Sequence, residues 1–368
     1  DRSGIPVYLH PPTRGYPTDI DLVVSPEGYG RHDHVRVSKP LVVVTGPGPG
    51  SGKLATCLSQ MYHDHRMGLD SGYAKFETFP VFDLPLKHPV NAAYEAATAE
   101  LGDINLIDPY HLEAYGLPVV NYNRDVEAFP LLKRIFERIT GADSPYASPT
   151  DMGVNRVGAG IVSDQVVREA SLQEMIRRYF RYRCEYLMGL VEEKTLQKVE
   201  LLLNDHGITP EHRSVVPPAR AAAGACHEGF ARTGAALELP GGGIVTGKNS
   251  PLMTASSALV INAIKKLAGI PDRIHLLTPE TIDSIRHLKE TLGGEAACLT
   301  LDEVLIALGI SATHSPATQE ALGFLPGLRG TEAHITHIPA PGDEIGLRKL
   351  GVNLTTDASF DSDNLFNG

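Results

Sequence analysis
The stretch Gly46-Pro-Gly-Pro-Gly-Ser-Gly-Lys53 stands between two segments of opposite character and constrains the chain more than any other feature. Before it, Leu41-Val-Val-Val-Thr45 is an unbroken β-branched run that reads as a strand buried on both faces. After it, Leu54, Cys57, Leu58 and Met61 recur at helical spacing, so Lys53 to Met67 reads as a helix. Strand, glycine loop and helix in that order specify an α/β unit with the loop over a helix N-terminus. There, inward-facing amides and the helix dipole hold a phosphate, and a lysine adds a point charge.

Gly48, Gly50, Ser51, Gly52 and Lys53 are therefore the candidate nucleotide- or phosphate-binding residues. Gly48 to Lys53 resembles the phosphate loops of adenylate-kinase-like enzymes. Two positions depart from G-x-x-x-x-G-K-[ST]: Pro47 stands where the first glycine belongs, and Leu54 replaces the hydroxyl residue that holds magnesium. A Gly/Pro-rich turn that binds nothing is the competing reading. Leu106-Ile107-Asp108 reads as an apolar strand ending in an acid, with Asp108 placed to hold magnesium alongside a nucleotide; a strand ending in Asp-Pro is equally a turn entry.

Between residues 75 and 127, short apolar pieces are punctuated by prolines and carry many reactive side chains. Loops at the edge of an α/β sheet are where ligands bind, so this segment is expected to line the site. His88, Asp108, His111 and Glu113 are the candidates for proton transfer or metal chemistry. Lys75, Glu77, Lys87, Asn91, Asn121, Asn123 and Arg124 are the candidates for substrate contacts. His63 and His65 lie two apart on the first helix, about 200° around it, and so do not form a shared metal site. Arg177-Arg-Tyr-Phe-Arg-Tyr-Arg183 reads as a solvated helix face, with reach toward a ligand's phosphates or a neighbouring subunit as the alternative.

Farther along, Gln165 to Asn204 reads as an amphipathic helix pair turning near Met188 to Leu190. Val215 to Ala223 is either a helix or a linker. Ala235 to Leu239 and Ile244 to Thr246 flank Pro240-Gly-Gly-Gly243 as a hairpin, followed by a helix from Ser256 to Leu267. Ile274 to Leu277 and His334 to Ile338 read as strands, and Thr300-Leu-Asp-Glu303 as a capping box. At 368 residues two or three domains are expected: 1–160 as a P-loop-like α/β domain, 161–225 as a helical subdomain and 226–368 as a second α/β domain.

Composition narrows the partners. With 33 Lys and Arg against 44 Asp and Glu, a net charge of −11 argues against nucleic acid. Apolar runs such as Leu41 to Val44 fall far short of the ~18 to 20 residues of a membrane span. The four cysteines are dispersed without a C-x-x-C pair, which fits a reducing cytoplasm and gives no zinc ligand set.

Several long strings resemble the bacterial uncharacterised protein family 0371: Tyr16-Pro-Thr-Asp-Ile-Asp21, Leu41 to Lys53, Gly72 to Pro80, Lys87-His-Pro-Val-Asn91, Asn121 to Glu127, Ser148-Pro-Thr-Asp-Met-Gly153 and Ile244-Val-Thr-Gly-Lys248. The resemblance covers essentially the whole chain and implies a P-loop-like α/β part, a helical insert and a C-terminal cytidine-deaminase-like part. It also implies a further N-terminal region of over a hundred residues, so that Ile5 to Leu9 is expected to enter a parallel sheet near Leu41 to Thr45 in a domain begun upstream. No activity comes with the kinship. Zinc deaminases need H-x-E or C-x-E and a later P-C-x-x-C, whereas Thr254-Ala-Ser-Ser257 and an isolated Cys298 stand here, so no zinc is expected. The resulting expectation is a phosphate-handling enzyme acting on a nucleotide or phosphorylated small molecule, with or without homo-oligomer assembly. The alternative is a non-catalytic anion-binding regulator or assembly protein.

Overall fold
A computed structural model describes residues 4–48, 50–76, 79–155, 157–226, 232–292 and 298–360. The chain divides into two compact units, Asp1–Arg168 and Glu169–Gly368.

In the first unit, helix α1 (Lys53–Arg66) follows the glycine loop as its spacing predicts. Leu58, Met61 and Tyr62 face a core built with Phe129, Leu132, Ile135, Phe136 and Ile139 of helix α4 (Asn123–Thr140). Between them come α2 (Pro89–Ala97), β1 (Asn105–Ile107), α3 (Pro109–Tyr115) and β2 (Val120–Tyr122). β1 and β2 pair antiparallel, Leu106 opposite Asn121. A one-turn helix α5 (Pro149–Met152) is closed by a capping box of Ser148 and Asp151. Lys75–Phe76 pairs in parallel with Gly153–Val154.

The expected strand at Leu41–Thr45 does not form: the stretch pairs with no strand among the described residues, and Leu41 and Val43 are about four-fifths exposed. Ile5 to Leu9 is likewise exposed and pairs with no strand among the described residues. The P-loop expectation is thus corrected at its first element. β-branched residues set an extended backbone, but a strand also needs a neighbour to take its N–H and C=O groups.

Helix α6 (Asp164–Leu187) runs across the division, and α7 (Glu193–Asp205) and α8 (Val216–Gly224) follow. The second unit's sheet comprises β3 (Gly234–Glu238), β4 (Ile244–Lys248), β5 (Glu332–Ile335) and β6 (Asn353–Thr356), in the order β4-β3-β5-β6. β3 is antiparallel to β4 and β5, while β5 and β6 are parallel. Helices α9 (Ala255–Leu267), α10 (Pro279–Thr291), α11 (Leu301–Ser311) and α12 (Pro316–Leu322) lie between the hairpin and β5, and α13 (Pro341–Leu350) is the β5–β6 crossover. One apolar cluster joins Leu237 and Ile335 of the sheet to Leu259, Val304 and Leu347 of the helices. The strand expected at Ile274–Leu277 is a turn region whose Leu276 and Leu277 are buried in this cluster. A short buried apolar run carries no mark that separates strand from packed turn.

Candidate functional site
The helix α1 N-terminus is the first half of the site. Gly52 takes the cap position with φ +85°, and among the described residues no side chain caps the helix. Gly50 also has positive φ, which a side chain would oppose. The loop is curled on itself: Lys53 Nζ donates to the Gly48 carbonyl at 2.7 Å and to Ser51 Oγ at 3.1 Å, and Ser51 Oγ donates to the same carbonyl at 2.8 Å. The ammonium group is therefore held against the loop by a charge-assisted bond to a neutral carbonyl and a second bond to a hydroxyl, with no carboxylate among these partners.

One face of α1 extends the polar surface. Thr56, Gln60 and Asp64 follow Lys53 at helical spacings of three and four. His10 Nδ1 lies 3.3 Å from Thr56 Oγ1 and its Nε2 lies 3.0 Å from the Asp33 carbonyl. A carbonyl only accepts, so neutral His10 carries its proton on Nε2 and accepts a hydrogen bond from the Thr56 hydroxyl at Nδ1. The His10 and His32 rings stack at 4.9 Å and 15°. Burial first, and the neighbouring His10 second, hold the His32 pKa below the usual imidazole value. His34 Nε2 reaches Asp64 at 3.0 Å, and His63 Nε2 reaches the Tyr29 carbonyl at 3.1 Å. Sequence reasoning passed over His10, His32 and His34 because His10 and His34 reach α1, and His32 reaches His10, only through the course of the segment from residue 10 to 34; the sole local signal is their density there.

Three residues of the 75–127 segment come together around α5. The buried Asp108 carboxylate caps α3, accepting from the Tyr110 and His111 amides, and its other oxygen accepts from Thr150 Oγ1 at 2.6 Å and Thr150 N at 3.3 Å. Asn121 Nδ2 donates to Thr150 Oγ1 at 3.2 Å. His111 Nδ1 lies 2.9 Å from Ser148 Oγ and 3.6 Å from Asp151. Four protein donors occupy the Asp108 lone pairs, so this carboxylate as placed does not fit a magnesium ligand.

The other candidates lie apart. His88 is buried, caps α2 through Nδ1 and bonds Asp164 through Nε2 at 2.8 Å. Asn91 is wholly buried and pairs with both backbone groups of Val81. Arg124 forks onto Asp103, its Nη2 at 2.8 Å. Asn123 bonds the Ile104 amide. Lys75 joins Asp125 at 2.6 Å and Tyr122. Lys87 is exposed, as is Glu113, which lines a separate cavity of about 620 Å³ with Lys133 and Arg134. Glu77 lies outside the described residues. Among the described residues no three His, Cys, Asp or Glu side chains form a group able to hold a metal ion, and no helix is long and apolar enough to cross a membrane.

Fold and site together define a mixed α/β protein of two compact units with a glycine-rich loop opening one helix. The family descriptions "Domain of unknown function DUF1846, N-terminal" and "C-terminal" match residues 1–207 and 211–366. A UPF0371 protein of Clostridium botulinum is 51% identical over 371 residues, spanning 100% of this chain and 74% of its own length. One from Streptococcus thermophilus is 54% identical over 367 residues, spanning 100% and 73%. The chain belongs to the UPF0371 (DUF1846) family.

Proposed function
We propose that the chain binds a nucleotide or phosphorylated small molecule at Gly48, Gly50, Ser51, Gly52 and Lys53 and acts on it as a phosphate-handling enzyme. The observation that carries the reading is the uncapped α1 N-terminus, preceded by left-handed glycines and overlaid by the Lys53 ammonium. In this reading the loop amides and Lys53 hold the phosphate, and His10, bonded to Thr56 one turn along from Lys53, moves a proton. A nucleotide would bring its own magnesium; no step depends on it. The second reading, a non-catalytic anion-binding regulator or assembly protein, is favoured by the structural bonds that already hold His88, Asn91, Asp108, Asn121 and Arg124. Native mass spectrometry with a nucleotide panel, coupled to chromatography of products, tests both. The proposal expects a bound nucleotide and its conversion; binding without conversion selects the regulator, and no bound phosphorylated ligand ends both readings.

We read the C-terminal sheet as a deaminase-like framework, supported by the hairpin, the helix after it and the parallel β5–β6 pair. Zinc chemistry is not part of that reading, because Thr254 and Ser257 spend their hydroxyls on Asp343 and the Leu299 carbonyl. Elemental analysis of protein purified without added metal should find far less than one zinc per chain; stoichiometric zinc would reverse the conclusion.

A further inference from the structure
The second unit holds a cavity of about 620 Å³ that runs along β6, from Val352 before the strand to Thr356 at its end, and takes in Ile338 and Pro339 beyond β5. That volume is in the range of small-molecule sites. One wall is α6, whose Glu174, Arg177, Arg178, Arg181 and Glu185 share a face by helical spacing. The lining also takes in Glu344 and Arg348 of α13 and the apolar side chains of Ile338, Val352 and Leu354. The α13 N-terminus, after Ala340, lacks a side-chain cap.

Four guanidinium groups thus line the cavity against three carboxylates. Glu174 serves two arginines at once, at 2.8 Å from Arg177 and 2.7 Å from Arg178; Arg181 takes Glu185 at 2.7 Å, and Arg348 takes Glu344 at 2.5 Å. Arg177 also lies 3.5 Å from Glu332. These four pairs each join residues three or four apart on one helix, a kind of pairing that contributes little and that a ligand can replace. Arginine forks match phosphoryl and carboxylate oxygens two at a time. We propose that this cavity is a second ligand site, for a small molecule carrying two separated anionic groups, one held by the α6 arginines and the other by Arg348.

Calorimetry on the 368-residue chain with pyrophosphate and with succinate tests this and identifies the anionic group. Saturable binding of either probe is expected to survive Lys53→Ala, which removes the glycine-loop charge. It should weaken about 10- to 100-fold in Arg178→Gln and Arg348→Gln at unchanged melting midpoint. Should either glutamine variant fail to fold, Arg178→Lys and Arg348→Lys keep the charge and lose the fork, and the same weakening is expected. No saturable binding at millimolar probe, binding lost only in Lys53→Ala, or affinity indifferent to the arginine substitutions would overturn the proposal.

Discussion

Asp343 is 1% exposed, and its Oδ1 accepts from the Leu301 amide at 2.7 Å and from Thr254 Oγ1 at 3.0 Å. Burial pushes its carboxyl up to about 6, against the pull of those bonds. The folded state therefore holds a proton that the unfolded chain, near 3.8, gives up. The resulting stabilisation is full below the unfolded value and is lost as pH rises through about 6. Asp343→Asn keeps the shape without the titration, so wild-type stability should fall relative to the variant between pH 4 and 7, by roughly 3 kcal/mol at most. Urea midpoints of both proteins at each pH check this; parallel curves would contradict it. Arg213 is the other decisive buried group, 1% exposed, bonding Thr355 Oγ1 and the Ala333 and Asn353 carbonyls and pairing with Glu332 at 2.5 Å. Arg213→Ala strands these acceptors at the β5–β6 junction and should cost about 3 to 5 kcal/mol in urea unfolding. A loss below about 1 kcal/mol, the worth of an exposed pair, would show that water replaces the guanidinium.

Among the elements, β4 lies so close to α9 that a Cβ on Gly247 would meet the Ala255 carbonyl and the Leu259 amide, both at 2.4 Å. Backbone cannot rotate away as a side-chain tip can, so Gly247→Ala should destabilise the unit by about 1 to 3 kcal/mol, read as a lower melting midpoint. An unchanged midpoint would mean that strand and helix separate freely. The C-terminal hairpin, α9 and the Thr300–Glu303 capping box were legible because each is specified locally, by turn glycines, 3.6-residue periodicity or cap chemistry. Leu41–Thr45 was misread because its residues specify an extended backbone but not a partner. In the site, the glycine loop was legible from one contiguous string, whereas His10 meets His32 and Thr56 only after folding brings the segment from residue 10 to 34 onto α1. Asp108 illustrates the converse: Asp-Pro read as a strand-end acid or as a turn entry, and the residue is a helix cap, with Pro109 at the first helical position.

Across the whole molecule, each unit has its own apolar cluster, and the first also displays exposed apolar stretches without strand partners among the described residues at Ile5–Leu9 and Leu41–Val43. Exposed apolar stretches whose backbone is in no sheet are open to pairing between chains. The 368-residue chain should therefore self-associate with rising concentration, and Val43→Asp should shift it toward monomer; sedimentation velocity reads both. A monodisperse monomer at all concentrations would show that these stretches do not recruit partners. The central claim concerns the loop between those stretches and the first core. Calorimetric titration of wild type and Lys53→Ala with a nucleotide panel tests it most directly. The account predicts a nucleotide that binds the wild type and loses roughly 10- to 150-fold in affinity when the ammonium is removed. Equal affinity in a folded Lys53→Ala protein would contradict it.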